Sequence, residues 1–298
     1  MGFALNQVIG NYECLGILEK RRTGITYKVR NLLSGEIEAL RALPPALISD
    51  GEASQRLLRE IRLQTRLNHP NVIAFHDAFQ LDGQVVMTTD YVEGPTLADL
   101  CRERPLSISD ACAAILQVLD GLEEAHALGI VHRGITAEHI IVNAEGVAKV
   151  AGFDLAKAAS DTHLTQLGSV LGDPRYVSPE QVLGRLPLDA RADLYSAGVL
   201  FYLTLTAKMP FQGASDIELM TAHVKTEPKP PSAWNPAVPG ALDAIVAQAL
   251  RKKPEERFAS ARQFSDAVAT ALETMAASSA PSRRKTGAAA GAIGVAVQ

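Results

Sequence analysis

The sequence is poor in several features that would fix a function quickly. Only three cysteines occur in its 298 residues: Cys14, Cys101 and Cys112. They form no C-x-x-C pair and no even set, so neither a disulfide framework nor a zinc site is expected, and they read as buried thiols in a reducing cytoplasm. There is no basic excess, because Lys plus Arg number 29 against 33 Asp plus Glu, a formal net charge of −4. That argues against a charge-driven binder of nucleic acid or anionic membrane. The opening M-G-F-A-L-N-Q-V-I-G-N-Y-E lacks the basic and long apolar stretches of a secretory leader, and it misses the Ser/Thr of a myristoylation site. No repeat of fixed period is present. What remains is 47% hydrophobic and 21% charged, the balance of an ordinary folded protein.

Length suggests about two units, and the pattern makes them unequal. Residues 12–43 carry short β-like stretches, such as 25–29 and 37–40, with Asn31, Ser34 and Gly35 as turn residues. Over 53–67 the residues Leu57, Leu58, Ile61, Leu63 and Leu67 recur at mostly helical spacing until Asn68-His69-Pro70 stops them. Residues 72–79 and 84–91 read as two more strands joined across Asp82-Gly83. After Gly94-Pro95 long helical segments dominate, at 109–128, 189–205, 241–250 and 261–275, with β-like pieces at 139–142 and 147–150. From Ala276 the chain turns to Ala, Ser, Gly and Arg, the composition of a flexible tail. Its last stretch, 287–297, is weakly apolar and far short of the ~20 residues of a membrane span. A truncated membrane helix behind Arg283-Arg284-Lys285 is the alternative reading of that tail.

The order of small sheet, inserted helix, linker and helical half goes with three motifs: V-H-R-G-I-T-A-E-H-I-I-V, K-V-A-G-F-D and G-D-P-R-Y-V-S-P-E-Q. Together they resemble the eukaryotic-type Ser/Thr protein kinases, including their bacterial members. The resemblance implies a bilobal α+β fold, with a small β-rich N-lobe holding one helix and a larger, mainly helical C-lobe. The expected division is an extension at 1–11, a kinase-like domain at 12–275 with lobes meeting near 92/93, and a tail at 276–298.

Position by position, the catalytic signature is broken. The glycine-rich loop aligns with Glu19-Lys20-Arg21-Arg22-Thr23-Gly24, where only Gly24 survives. The lysine of the third strand is Arg41, whose planar fork differs from a compact ammonium. A structural pair with Glu60, the match to the helix glutamate, is its favoured role. In the catalytic loop the proton-accepting Asp is Gly134, the nearby Lys is Thr136, and the Asn that holds the second magnesium is His139. The metal-binding D-F-G reads Gly152-Phe153-Asp154. Residues two apart in an extended chain lie roughly 6.5 Å apart, so Asp154 is read as a solvated loop carboxylate rather than a magnesium ligand. The Thr of the substrate-proximal loop is Asp173.

Scaffold positions are kept: Glu180 and Arg257 match the family's buried ion pair, and Asp193 matches the Asp that anchors the catalytic-loop backbone. Ala39 and Ile141 would sandwich an adenine, with Thr89 as gatekeeper and Asp90-Tyr91-Val92 as hinge, so that Gly24, Ala39, Arg41, Thr89, Tyr91 and Ile141 outline a nucleotide pocket. Ser160, Thr162, Thr165 and Ser169 fall in the activation-loop region, where ordinary solvated hydroxyls are the preferred reading over phosphorylation. The expectation is a cytoplasmic pseudokinase that binds a protein partner, such as an active kinase. It needs no cofactor and no magnesium, and takes ATP, if at all, without metal. A slow or atypical Ser/Thr kinase is the alternative.

Overall fold

The computed structural model describes residues 3–21, 24–43, 61–81, 84–153 and 173–279. Among them the first half is an antiparallel sheet of β1 (Val8–Ile9), β2 (Tyr12–Arg21), β3 (Gly24–Asn31), β4 (Ile37–Ala42), β5 (Phe75–Leu81) and β6 (Gln84–Asp90). The strands lie in the order β1-β2-β3-β4-β6-β5. Alternation decides which face is buried: Tyr27 and Val29 on β3 and Leu40 and Ala42 on β4 pack with Ile9, Cys14 and Val86. The helix expected over 53–67 is helical through 61–64, and 53–60, with Glu60, lies outside the described residues.

The second half is mostly helical. Its elements are α1 (Leu97–Leu100), α2 (Ile108–Ala127), the hairpin β7 (Ile140–Val142) and β8 (Ala148–Val150), then α3 (Pro179–Val182), α4 (Ala190–Thr206), α5 (Asp216–Lys225), α6 (Gly240–Ala249) and α7 (Ala261–Ser279). Ser107 caps α2 by accepting from Asp110 N at 3.1 Å, and Asp189 caps α4 by accepting from Arg191 N at 2.9 Å. Helix α4 is apolar all round, which places it inside the lobe. Leu194, Val199, Leu200 and Phe201 there join Val118, Leu119 and Leu122 of α2 and Phe264 and Val268 of α7 in one core.

Two expectations need correction, and one helix was not expected. β1 lies in the expected N-terminal extension, where Ile9 is fully buried, so part of that extension belongs to the sheet. The last helix continues through Ser279 rather than ending at 275, because Ala-rich sequence suits a helix that already has a docked face. Helix α5 was not foreseen, since His223 is its only fully buried side chain. All three cysteines are buried. Burial pushes the Cys101 and Cys112 thiols up to about 11, so they are poor nucleophiles.

One ion pair fastens α3 beneath the lobe. Arg257 donates to both carboxylate oxygens of Glu180 at 2.7 Å, and to the carbonyls of Arg191, Arg251 and Lys252. Every guanidinium N–H thus has an acceptor, and the group lies over the Tyr195 ring at 4.8 Å. Removing one partner strands the other charge in the interior. Arg257→Ala is expected to cost about 3–5 kcal/mol in denaturant unfolding; a loss below 1 kcal/mol would show that the pair does not hold this loop.

Candidate functional site

The catalytic-loop region hangs from Asp193, the fourth residue of α4, whose side chain is fully buried. One carboxylate oxygen accepts from Arg133 N at 2.7 Å, and the other from His132 N at 2.8 Å and His126 Nε2 at 2.9 Å. Burial pushes this carboxyl's pKa up, but the hydrogen bonds and charge of its neighbours, His126 above all, outweigh it and hold it below the usual range. The clamp fixes Arg133 with φ at +62°, a conformation that costs an L-residue about 1–2 kcal/mol. His132 then donates from Nε2 to Ala151 O at 2.9 Å and meets Phe153 edge-on at 4.6 Å, which ties the loop to the segment after β8.

On this frame four of the replaced positions touch. His139 is buried, and its Nδ1–H donates to the Gly134 carbonyl at 2.7 Å, with Thr136 Oγ1 3.2 Å from the same nitrogen. The ring's other edge lies against Gly152. A Cβ at 152 would fall 2.9 Å from His139 Cδ2 and 3.1 Å from Nε2, and the backbone there has φ at +79°. The imidazole therefore occupies room that a side chain at 152 would need, and an aspartate cannot be placed there without moving it. Gly134, Thr136, His139 and Gly152 form one packed and hydrogen-bonded unit.

Magnesium, which the fold family implies, prefers several oxygen ligands in octahedral array. The described residues do not fit it: imidazole and glycine stand at the two ligand positions, and no group of three or more His, Cys, Asp or Glu among them is arranged to hold a metal ion. Asp154 and the 154–172 segment with its four hydroxyl residues lie outside the described residues.

A cleft of about 430 Å³ opens between sheet and helices. Ala39, Arg41, Thr89, Tyr91 and Ile141 line it, together with Glu19, Asp90, Val92, Glu138, His139 and Gly152. Gly24 is not among the lining residues. Its Cα faces β4, where a Cβ would meet the Ala42 carbonyl oxygen at 2.6 Å, so close strand approach explains that glycine. Lys28 lies over the Tyr91 ring at 4.2 Å. Asp173 faces its own loop: its carboxylate accepts from Arg175 N and Nε at 2.9 Å and pairs with Arg175 Nη2, which also donates to Glu138 Oε1 at 2.8 Å. This Arg175 bridge was not foreseen, since its three members are ordinary surface residue types spread over 138–175.

These two lobes, the intervening cleft and the Asp193-anchored loop define a protein kinase fold. The protein kinase domain model matches residues 13–268, and the chain belongs to that family. It is 33% identical over 266 residues to serine/threonine-protein kinase PknE of Mycobacterium tuberculosis, covering 89% of this chain and 47% of that one. To serine/threonine-protein kinase pkn3 of Myxococcus xanthus it is 35% identical over 265 residues, covering 85% and 48%. The chain thus spans about half the length of these relatives. Among solved structures, the kinase domain of Mycobacterium tuberculosis PknI aligns with a TM-score of 0.71 at 25% identity over 91% of this chain and 99% of that one. Both relatives are named as serine/threonine-protein kinases. No helix among the described residues is long and apolar enough to cross a membrane.

The contact between His139 and Gly152 is testable by a double-mutant cycle. Gly152→Ala should destabilise the protein by about 2 kcal/mol or more, combining overpacking with the left-handed backbone. In a His139→Ala background the overpacking part should vanish, giving a coupling of about 1 kcal/mol or more in urea unfolding. Additive effects would mean the ring does not fill that space.

Proposed function

We propose that this domain is a pseudokinase: it keeps the protein kinase fold, has lost phosphoryl transfer, and acts in the cytoplasm by binding a protein partner, with an active kinase as the partner class. The observation that carries the reading is the His139 imidazole lying in the space beside Gly152 while hydrogen-bonded to the residue 134 carbonyl. Phosphoryl transfer relies on positioning and electrostatics supplied jointly by a base, metal ligands and a phosphate-holding cation. Here the base position has no side chain, and the two metal positions pack against each other, with the His139 ring hydrogen-bonded to the Gly134 carbonyl. Loss of a positioned base alone removes about 10²–10⁴-fold in rate. The absent groups act as a unit, so no single neighbour restores them. ATP, where it enters the cleft, binds through the apolar walls and Arg41 without magnesium.

The second reading is a slow or atypical Ser/Thr kinase, favoured by the relatives' names and by a cleft that stays open beside Arg41. It requires Asp154 to hold the metal and Arg41 or Arg21 to hold phosphate. Incubation of the purified protein with labelled ATP and magnesium is expected to give no phosphate transfer to itself or to a general basic acceptor. Magnesium-dependent transfer that disappears in Arg41→Ala would overturn the pseudokinase reading, and if it also disappears in Asp154→Ala the second reading stands.

A further inference from the structure

An ionisable cluster behind the hinge has no part in the proposed function. His76 lies on the edge strand β5 with its two ring nitrogens facing different carboxylates. Nε2 is 2.8 Å from Asp90 Oδ1, and Nδ1 is 3.2 Å from Glu38 Oε2. A neutral imidazole has a single N–H, so it can donate to one of these oxygens and must turn a lone pair toward the other. Only the imidazolium brings positive charge to both, with a hydrogen bond to Asp90 and an ion-pair contact to Glu38. Glu38 comes from β4, and its side chain is 4% exposed. One of its oxygens accepts from Asn31 Nδ2 at 3.0 Å; the other, Oε2, is buried without a well-aligned donor, so the ring's positive charge is its compensation.

Asp90 ends β6, where the sheet passes into the linker, and it lines the cleft. Its second oxygen faces the backbone N of Ala74 at 3.3 Å and Lys149 Nζ of β8 at 3.5 Å. The series Glu38, His76, Asp90, Lys149 therefore alternates in sign from the interior of the sheet to the helical lobe. The remaining charged neighbour on β5, Asp77, is exposed and accepts from Ala78 N.

We propose that His76 is a proton-operated clamp at the hinge: as imidazolium it binds buried Glu38 and hinge residue Asp90 to the edge strand, and on losing its proton it loosens the joint between the lobes. The clamp does not depend on whether the cleft performs chemistry. Burial lowers the ring's pKa, but hydrogen bonds and charges from Asp90 and Glu38 outweigh it and raise the value above 6.5. A raised folded-state pKa means the stabilisation is complete below 6.5 and is lost as pH rises through the folded value. The ring is 34% exposed, so solvent screening keeps the effect modest.

The test is an NMR titration of the His76 ring in the full chain, assigned with His76→Gln, alongside hydrogen exchange of amides 74–76 and 90–92 corrected for intrinsic pH dependence. The expected result is a midpoint above 6.5 and faster exchange above that midpoint, with exchange independent of pH in His76→Gln. The melting temperature of the variant should lie about 2–4 °C below wild type at acidic pH, and the gap should close above the midpoint. If His76→Gln does not fold, Asp90→Asn should lower the His76 midpoint. A midpoint at or below 6.5, or exchange that does not change across it, overturns the clamp.

Discussion

The buried carboxylate of Asp193 is the constraint on which the site depends. A charge taken wholly out of water must be matched by donors, and here the donors are two consecutive backbone N–H groups and a histidine ring. That requirement fixes the course of the chain at residues 132 and 133, including the left-handed turn at Arg133. It thereby sets where the residues after them fall. His132 extends the same order to Ala151 and Phe153, so the catalytic-loop region and the segment after β8 are registered against each other before any catalytic group is considered. The Glu180–Arg257 pair does comparable work for α3.

Against this frame, the replaced residues have a structural logic of their own. A buried metal-binding carboxylate needs its cation as compensation; without one, a site must be emptied or repacked. Here it is repacked, with an imidazole taking the volume, the Gly134 carbonyl accepting its N–H, and glycine at 152 leaving room for the ring. A side chain restored at 152 would collide with the His139 ring, so the residues at 139 and 152 are linked. The scaffold pairs lie on other elements and are untouched by this repacking.

Much of the architecture was legible in the chain. Turn residues at 31–35 and alternation in β3 and β4 marked the sheet, and the apolar faces of α2, α4, α6 and α7 marked the helical lobe. Strand β1 was not, because two residues carry no period. Helix α5 was overlooked for want of an apolar face, although Ser215, which accepts from Glu218 N at 3.2 Å, presents a Ser-x-x-Glu capping signal. Motif alignment identified which site positions differ, but it could not show that the His139 ring fills the space at 152, that Gly24 serves strand packing, or that Arg175 bridges Asp173 and Glu138. The Glu38–His76–Asp90 cluster was equally hidden, since its members are 14 or more residues apart and meet only through strand register.

The pseudokinase reading requires that packing has replaced the metal site while the fold remains. Its most direct measurement is a thermal-shift titration of the purified protein with ATP, carried out once with magnesium and once with EDTA, because a ligand of the native state stabilises it by mass action. The same shift in both, or none in either, is expected. A shift that appears only with magnesium would overturn that reading, since among the described residues imidazole and glycine stand at the metal positions.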